Sequence, residues 1–194
     1  MDQDPDRALI RELSSDDDAT RRRALGALYD RYHGRVFGIA YRVLGSAADA
    51  ADVTQEVFLQ VGDRIGGFRG DASLTSWLYR VTVNLAIDAR RKRLRRPAQS
   101  LSAATGETEA DVSEGRPGTA APPEDPAAAS LRAEREHRVR EALDRLSPKL
   151  RAVAVLRYFE NLSYDELAEV LDTSIGTVKS RLNRAHAALE RLLR

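Results

Sequence analysis

With 31 basic and 30 acidic side chains among 194 residues, the net charge is +1, so any affinity for a polyanion has to come from local clustering. There is no cysteine, which excludes disulfides and thiolate metal sites, and His33, His137 and His186 are too scattered in sequence to suggest a metal pair. No apolar run approaches membrane-spanning length, and Met1 is followed by Asp2, Asp4 and Asp6, unlike a signal peptide, so a cytoplasmic protein is expected.

Leu9 to Leu13 form a short apolar patch, and Ser14-Ser15-Asp16-Asp17-Asp18 reads as a helix stop and restart. From Ala19 a long helical pattern follows, with Leu25, Leu28, Tyr32, Val36, Ile39, Ala40, Val43 and Leu44 mostly at steps of three and four. Gly45 ends it, and Ser46 can cap the next helix. That helix carries Ala50, Val53, Val57, Leu59, Val61 and Ile65 as its apolar set, with Asp49, Asp52, Gln55 and Glu56 largely on another face. The glycine-rich stretch Gly66 to Asp71 is a loop. A third long helix is expected from Ser73 to Arg96, with Leu74, Trp77, Leu78, Val81 and Leu85 buried and Arg80, Asn84, Asp88 and Arg91 opposite. It ends in six bases, Arg90, Arg91, Lys92, Arg93, Arg95 and Arg96.

Composition changes at Pro97. Through Ala129 the chain is rich in Ala, Pro, Ser, Thr and Gly, with an acidic balance, and reads as a disordered linker. Helical spacing resumes with Leu131, Val139, Leu143 and Leu146, and Ser147-Pro148 starts another helix carrying Leu150, Val153, Val155, Leu156 and Phe159. Ser163 and Glu166 then form a capping box, and Leu167, Ala168, Val170 and Leu171 give that short helix an apolar face. Asp172-Thr173-Ser174 is a turn, and a second helix follows with Ile175, Val178 and Leu182 inward. Lys179, Ser180, Arg181, Asn183 and Arg184 are left facing out. Two short helices around a tight turn make a helix-turn-helix, and a basic second helix bearing Ser and Asn suits phosphate contact with base-edge reading in a major groove. The plainer alternative is a solvated amphipathic helix. With no strand pattern, the fold expected is all-α, with two small helical domains (residues 1–96 and 130–194) joined by the flexible linker 97–129.

Catalytic signatures are missing. There is no phosphate-cradling glycine loop with its lysine, no nucleophile elbow and no histidine pair, so neither catalysis, metal nor cofactor is expected. Asp49, Asp52 and Glu56 lack such partners and read as a solvated face or as a docking surface for a basic protein. Six bases at a helix C-terminus exceed what the helix dipole asks for and would attract phosphates. Beside them, Phe68 in the loop and Asn84 suit gripping an unstacked base, while Trp77 fits either the core or a stacking platform.

Three blocks in this order, DAADVTQEVFL (residues 49–59), GFRGDASLTSWLYRVTVNLAIDARRKR (67–93) and LSPKLRAVAVLRYFENLSYDELAEVLDTSIGTVKSRLNRAHAAL (146–189), resemble bacterial sigma factors of the extracytoplasmic-function (ECF) group. The resemblance implies sigma region 2 and region 4 domains that bind core RNA polymerase and promoter DNA. Asp49, Asp52, Gln55 and Glu56 would dock on the polymerase clamp helices. Phe68, Arg69, Gly70, Asp71, Ala72 and Ser73 would pocket a flipped base of the −10 element, with Trp77, Arg80, Asn84, Arg90, Arg91 and Arg93 on the following helix. Thr177, Lys179, Ser180, Arg181, Asn183 and Arg184 would meet the −35 element, and an anti-sigma protein would hold the otherwise monomeric factor inactive. Two other classes fit part of the pattern: a dimeric helix-turn-helix regulator without polymerase docking, and a sigma mimic that binds an anti-sigma protein but cannot direct transcription.

Overall fold

A computed structural model describes residues 5–65, 73–95 and 126–193, and all of their regular structure is helical. The first domain consists of α1 (Pro5–Leu13), α2 (Asp18–Leu44), α3 (Ala47–Arg64) and α4 (Leu74–Arg95). The second consists of α5 (Pro126–Asp144), α6 (Pro148–Tyr158), α7 (Tyr164–Val170) and α8 (Ile175–Leu193). The Gly66 to Ala72 loop and the stretch from 96 to 125, which holds most of the expected linker, lie outside the described residues. Helix α5 starts at Pro126, ahead of the boundary read from the return of periodicity at Leu131.

α2 is the axis of the first domain. Asp17 caps its start by accepting from the backbone N–H groups of Ala19 and Thr20, and Leu28, Tyr32, Val36, Ile39 and Val43 place one stripe against α3 and α4. The Tyr32 hydroxyl donates to Asp6 of α1 at 2.6 Å and lies 3.1 Å from the Thr75 hydroxyl of α4, so three helices share one polar anchor inside the apolar packing. Two threonines are buried at no hydrogen-bonding loss, because Thr54 donates to the Ala50 carbonyl and Thr82 to the Leu78 carbonyl, each at 2.7 Å.

The helix ends follow the sequence chemistry closely. Gly45 takes a left-handed conformation (φ 74°) and returns its N–H to the Tyr41 carbonyl, and Ser46 caps α3 by accepting from Asp49 N–H. Ser163 accepts from Glu166 N–H while Glu166 accepts from Ser163 N–H, completing the capping box. At the turn between α7 and α8, Asp172 adopts φ 45°, a region a short polar side chain tolerates, and Thr173 N–H closes on the Ala168 carbonyl. Pro148 opens α6, whereas Ser147 makes no capping hydrogen bond with its side chain.

Several apolar positions differ from the sequence expectation. On α4 the buried stripe is Leu74, Leu78, Tyr79, Thr82, Val83, Ala86 and Arg90, while Trp77, Val81 and Leu85 sit half-buried at its flank. The helix is rotated because it packs on α2 and α3 and also against α6 and α7, so two faces are covered. Leu59 is 58% exposed, Ile175 and Phe159 are each 40% exposed, and Leu131 and Val139 are also on the surface. A third-and-fourth spacing rule counts such residues as inward whenever they are apolar, yet each lies just off the contacting stripe. The buried residues of α6 and α7, among them Val153, Val155, Leu156, Leu167 and Val170, join the same continuous cluster as those of α2, α3 and α4, so the two domains share one apolar seam.

A Cβ added at Gly45 would meet Asp144 Oδ1 at 2.9 Å, on top of the strain of a positive φ. Gly45→Ala is therefore expected to lower stability by about 1–2 kcal/mol, read as a shift in the urea midpoint with helical circular dichroism otherwise retained.

Candidate nucleic-acid interface

On α8, Val178, Leu182 and Ala185 are buried, which turns Lys179, Ser180, Asn183 and Arg184 outward and leaves Arg181 half-buried at the edge. Ser174 opens the helix by accepting from Thr177 N–H at 3.2 Å, and its hydroxyl lies 2.9 Å from that of Thr177, so Thr177 is held at the first turn. Lys179 Nζ stands 6.0 Å from the centre of the Tyr164 ring, so the exposed aromatic at the start of α7 helps place the first cation of this outward face. Arg184 folds back on Ser180, with Nε 3.3 Å from the backbone oxygen and Nη2 3.4 Å from the hydroxyl. The expected reading residues are thus gathered on one helix face.

On α3, Asp52, Gln55 and Glu56 are exposed together and Asp49 is half-exposed. Leu59 completes the same face one turn beyond Gln55 and Glu56, an apolar side chain held in water at the end of an acidic stripe. The spacing 52, 55, 56, 59 was available in the sequence. Its hydrophobic character concealed it, because it was assigned to the core.

The expected −10 surface is less uniform. Phe68, Arg69, Gly70, Asp71 and Ala72 lie outside the described residues. Ser73 stands at the start of α4, where its hydroxyl accepts from Ser76 N–H at 3.0 Å. Trp77, Arg80, Asn84 and Arg91 follow along one side of α4, with Asn84 exposed and the other three half-buried. Arg80 Nη2 donates to the Glu169 carbonyl of α7 at 2.7 Å.

Arg90 departs most from the expected open basic cluster, being only 4% exposed. Its Nη1 donates to the carbonyls of Val43 and Leu44, each at 3.2 Å, and its Nη2 to the Asp144 carbonyl at 2.8 Å. Arg93 Nη2 donates to the Leu44 carbonyl at 2.9 Å and Nη1 pairs with Asp49 at 3.2 Å. Both arginines satisfy carbonyls at the C-terminal end of α2, where orphan acceptors and the negative end of the helix dipole favour cations.

A third arginine was not anticipated as part of any site. Arg151 of α6, with no exposed surface, donates through Nε to the Arg42 carbonyl and through Nη1 to Asp144. Its position inside the run Leu150 to Leu156 was the signal, since a lone arginine among apolar residues needs buried acceptors. Burial pushes the Arg151 guanidinium down, with Asp144 working against that shift. At Asp144 burial raises the carboxyl, but the guanidiniums of Arg151 and Arg90 outweigh it and hold it below the ordinary value of 3.8. No group of acids and histidines able to hold a metal ion occurs among the described residues.

Comparison with known proteins agrees with this geometry. Residues 28–96 match the family model described as Sigma-70 region 2, and residues 136–189 match Sigma-70, region 4. The first covers α3 and α4; the second covers the helix-turn-helix. The chain is 34% identical to the RNA polymerase sigma-H factor of Pseudomonas aeruginosa over 193 residues, covering 100% of this chain and 96% of that protein. It is 34% identical to the ECF RNA polymerase sigma factor SigW of Bacillus subtilis over 177 residues, covering 88% of this chain and 89% of the relative. Among solved structures, CnrH in complex with the cytosolic domain of CnrY superposes with a TM-score of 0.66 at 28% identity, covering 98% of this chain and 97% of CnrH. Two helical domains carrying these two regions define a sigma-70-type transcription initiation factor. Within that class, the chain belongs to the ECF RNA polymerase sigma factors.

Because the folded Asp144 carboxyl titrates below 3.8, its contribution is fully present above that value and is lost as pH falls through the lower folded pKa. The contact between the domains is expected to persist from pH 7 to about pH 4, with expansion only at greater acidity, measured by small-angle scattering of the full chain.

Proposed function

We propose that this ECF factor acts in the cytoplasm as a non-catalytic subunit of RNA polymerase. It docks on the polymerase clamp through α3, reads the −35 element with α8 and opens the −10 element with α4 and the loop before it. The single observation that carries this reading is the outward set Lys179, Ser180, Asn183 and Arg184 on a helix whose opposite side is packed into the core. Such a helix can enter a major groove as a rigid unit, with cations for phosphate and short polar groups for base edges.

Exposed Asp52, Gln55, Glu56 and Leu59 supply a docking strip with charge to steer a basic partner and an apolar residue to bury on contact. Strand opening needs no bond-making group in the factor. Binding the separated strand more tightly than the duplex is enough to shift the population toward open DNA, and flipping one base costs only a few kcal/mol. Ser73 to Asn84 support the flipped-base role through their place beside the loop, and Arg91 and Arg93 through their charge. Regulation by an anti-sigma protein is part of the reading, supported by the likeness to CnrH, which was solved bound to a cytosolic domain of a second protein.

Run-off transcription with core polymerase, using the region upstream of the factor's own gene, tests the function directly: a defined start that requires the protein is expected. No start despite bound core polymerase would favour the sigma mimic, and no core binding would favour a regulator of duplex DNA alone.

Reversing charge at Lys179, Arg181 and Arg184 together is expected to abolish promoter-specific initiation while leaving core binding intact; unchanged initiation would remove α8 from the reading role. Asp49→Lys with Asp52→Lys is expected to weaken core binding by about tenfold or more, as two reversed rim charges should. Leu59→Ala should weaken it further with no loss of thermal stability, because the side chain is exposed; an unchanged dissociation constant in both variants would take α3 out of the docking site.

A further inference from the structure

We propose that Tyr164 is a positioning residue for −35 recognition. Its ring holds the Lys179 ammonium in one place beside the outward face of α8, so that this lysine reads a guanine edge instead of serving as a general phosphate contact. The inference rests on the −35 reading above. Lys179 Nζ stands 6.0 Å from the centre of the Tyr164 ring, and the Arg157 guanidinium carbon lies 5.5 Å from the same centre. Both cations are within reach of one aromatic quadrupole. Side chains from α6, α7 and α8 thus meet at a single ring.

The ring is the anchored member of this group and the lysine the mobile one. Tyr164 is the first residue of α7, and the reciprocal hydrogen bonds of Ser163 and Glu166, at 3.2 and 2.7 Å, fix the backbone on both sides of it. Arg157 Nη1 donates to the Leu162 carbonyl at 2.7 Å, which ties that guanidinium to the segment leading into α7. Lysine carries a compact charge on a flexible four-carbon stem and has much rotamer freedom to lose. Arg184 is steadied by its own helix, with Nε 3.3 Å from the Ser180 backbone oxygen. The contact of Lys179 instead crosses from α8 to α7, so the turn between the two helices sets where its charge lies.

Placement of this charge matters for what it recognises. Phosphates attract any cation beside a groove, and those contacts carry no sequence information. Reading the O6 and N7 acceptors of guanine needs the donors held at one depth in the major groove. The ring engages one side of the ammonium and leaves N–H donors on the other side for base acceptors. An exposed cation–π contact biases a population by about two- to fivefold, and that is the size of effect expected on discrimination at one base pair. The ring face carries the role, and the Tyr164 hydroxyl has no part in it.

The test uses the full chain with core polymerase on the run-off template above, with each base pair of the −35 element substituted in turn. Lys179→Ala locates the pair this lysine reads, where discrimination should fall by about fivefold or more. Tyr164→Leu is 42% exposed in the parent and leaves the capping box intact, so folding is not at stake. It should lower discrimination at that same pair by about two- to fivefold, with preferences elsewhere unchanged. Tyr164→Phe keeps the ring and should keep the discrimination, and Tyr164→Leu added to Lys179→Ala should change nothing more. An equal loss of initiation on every template marks a structural role, and an equal loss in the Phe and Leu variants marks a hydroxyl contact; either overturns the proposal, as does a uniform effect of Lys179→Ala. Order at Lys179 Cε, read by carbon-13 relaxation in the free full chain, should fall in Tyr164→Leu and not in Tyr164→Phe; unchanged order in both also overturns it. Failure of the parent chain to give any promoter-dependent start would sink the proposed function instead, and the relaxation measurement would still decide whether the ring holds the lysine.

Discussion

The C-terminal end of α2 is the constraint on which the rest of this structure depends. A helix of 27 residues finishes inside the molecule, and its last carbonyls need donors. Three arginines from two other helices provide them: Arg90 and Arg93 from α4, and Arg151 from α6. Gly45 then turns the chain in a left-handed conformation, and the absence of a side chain there leaves room for Asp144. One helix end thus sets the position of α4 within the first domain and the approach of α6 from the second.

This has a consequence for the basic end of α4. A cluster of bases in a sequence reads as a surface for phosphate, but cations at a helix end are also structural donors. Arg90 is spent on carbonyls and a carboxylate, and Arg93 is divided between a carbonyl and Asp49 of α3. A residue proposed for DNA and one proposed for polymerase, Arg93 and Asp49, thus share a direct contact inside the first domain.

Local rules accounted for much of the architecture because the interactions at helix ends are short-ranged. The Asp17 cap, the Gly45 reversal, the Ser46 cap, the Ser163–Glu166 box and the turn at Asp172 each involve residues within a few positions of one another. The outward face of α8 was equally legible, since Val178 and Leu182 fix the helix rotation and leave Lys179, Ser180 and Asn183 outside. Periodicity was weaker at deciding which apolar residues lie inside. Leu59, Phe159 and Ile175 sit near the edge of a buried stripe, where a small rotation of the helix takes a side chain from packed to solvated. On α4 the covered faces are two, so the stripe read from one period was displaced toward Tyr79, Val83 and Arg90.

The sequence by itself determined the helical class, the helix ends, the helix-turn-helix and the family, because each is written in spacings of a few residues or in blocks preserved as contiguous text. Only the tertiary structure decided that Leu59 is exposed beside Asp52, Gln55 and Glu56, that Arg90 and Arg151 are buried and that the two domains share one seam. Those outcomes depend on which carbonyls and carboxylates lie within reach of a long side chain, and the groups concerned are separated by tens of residues: Arg90 lies 54 positions from Asp144, and Arg151 lies 109 from Arg42. A charge declares its sign in the sequence, but its partner is chosen by packing.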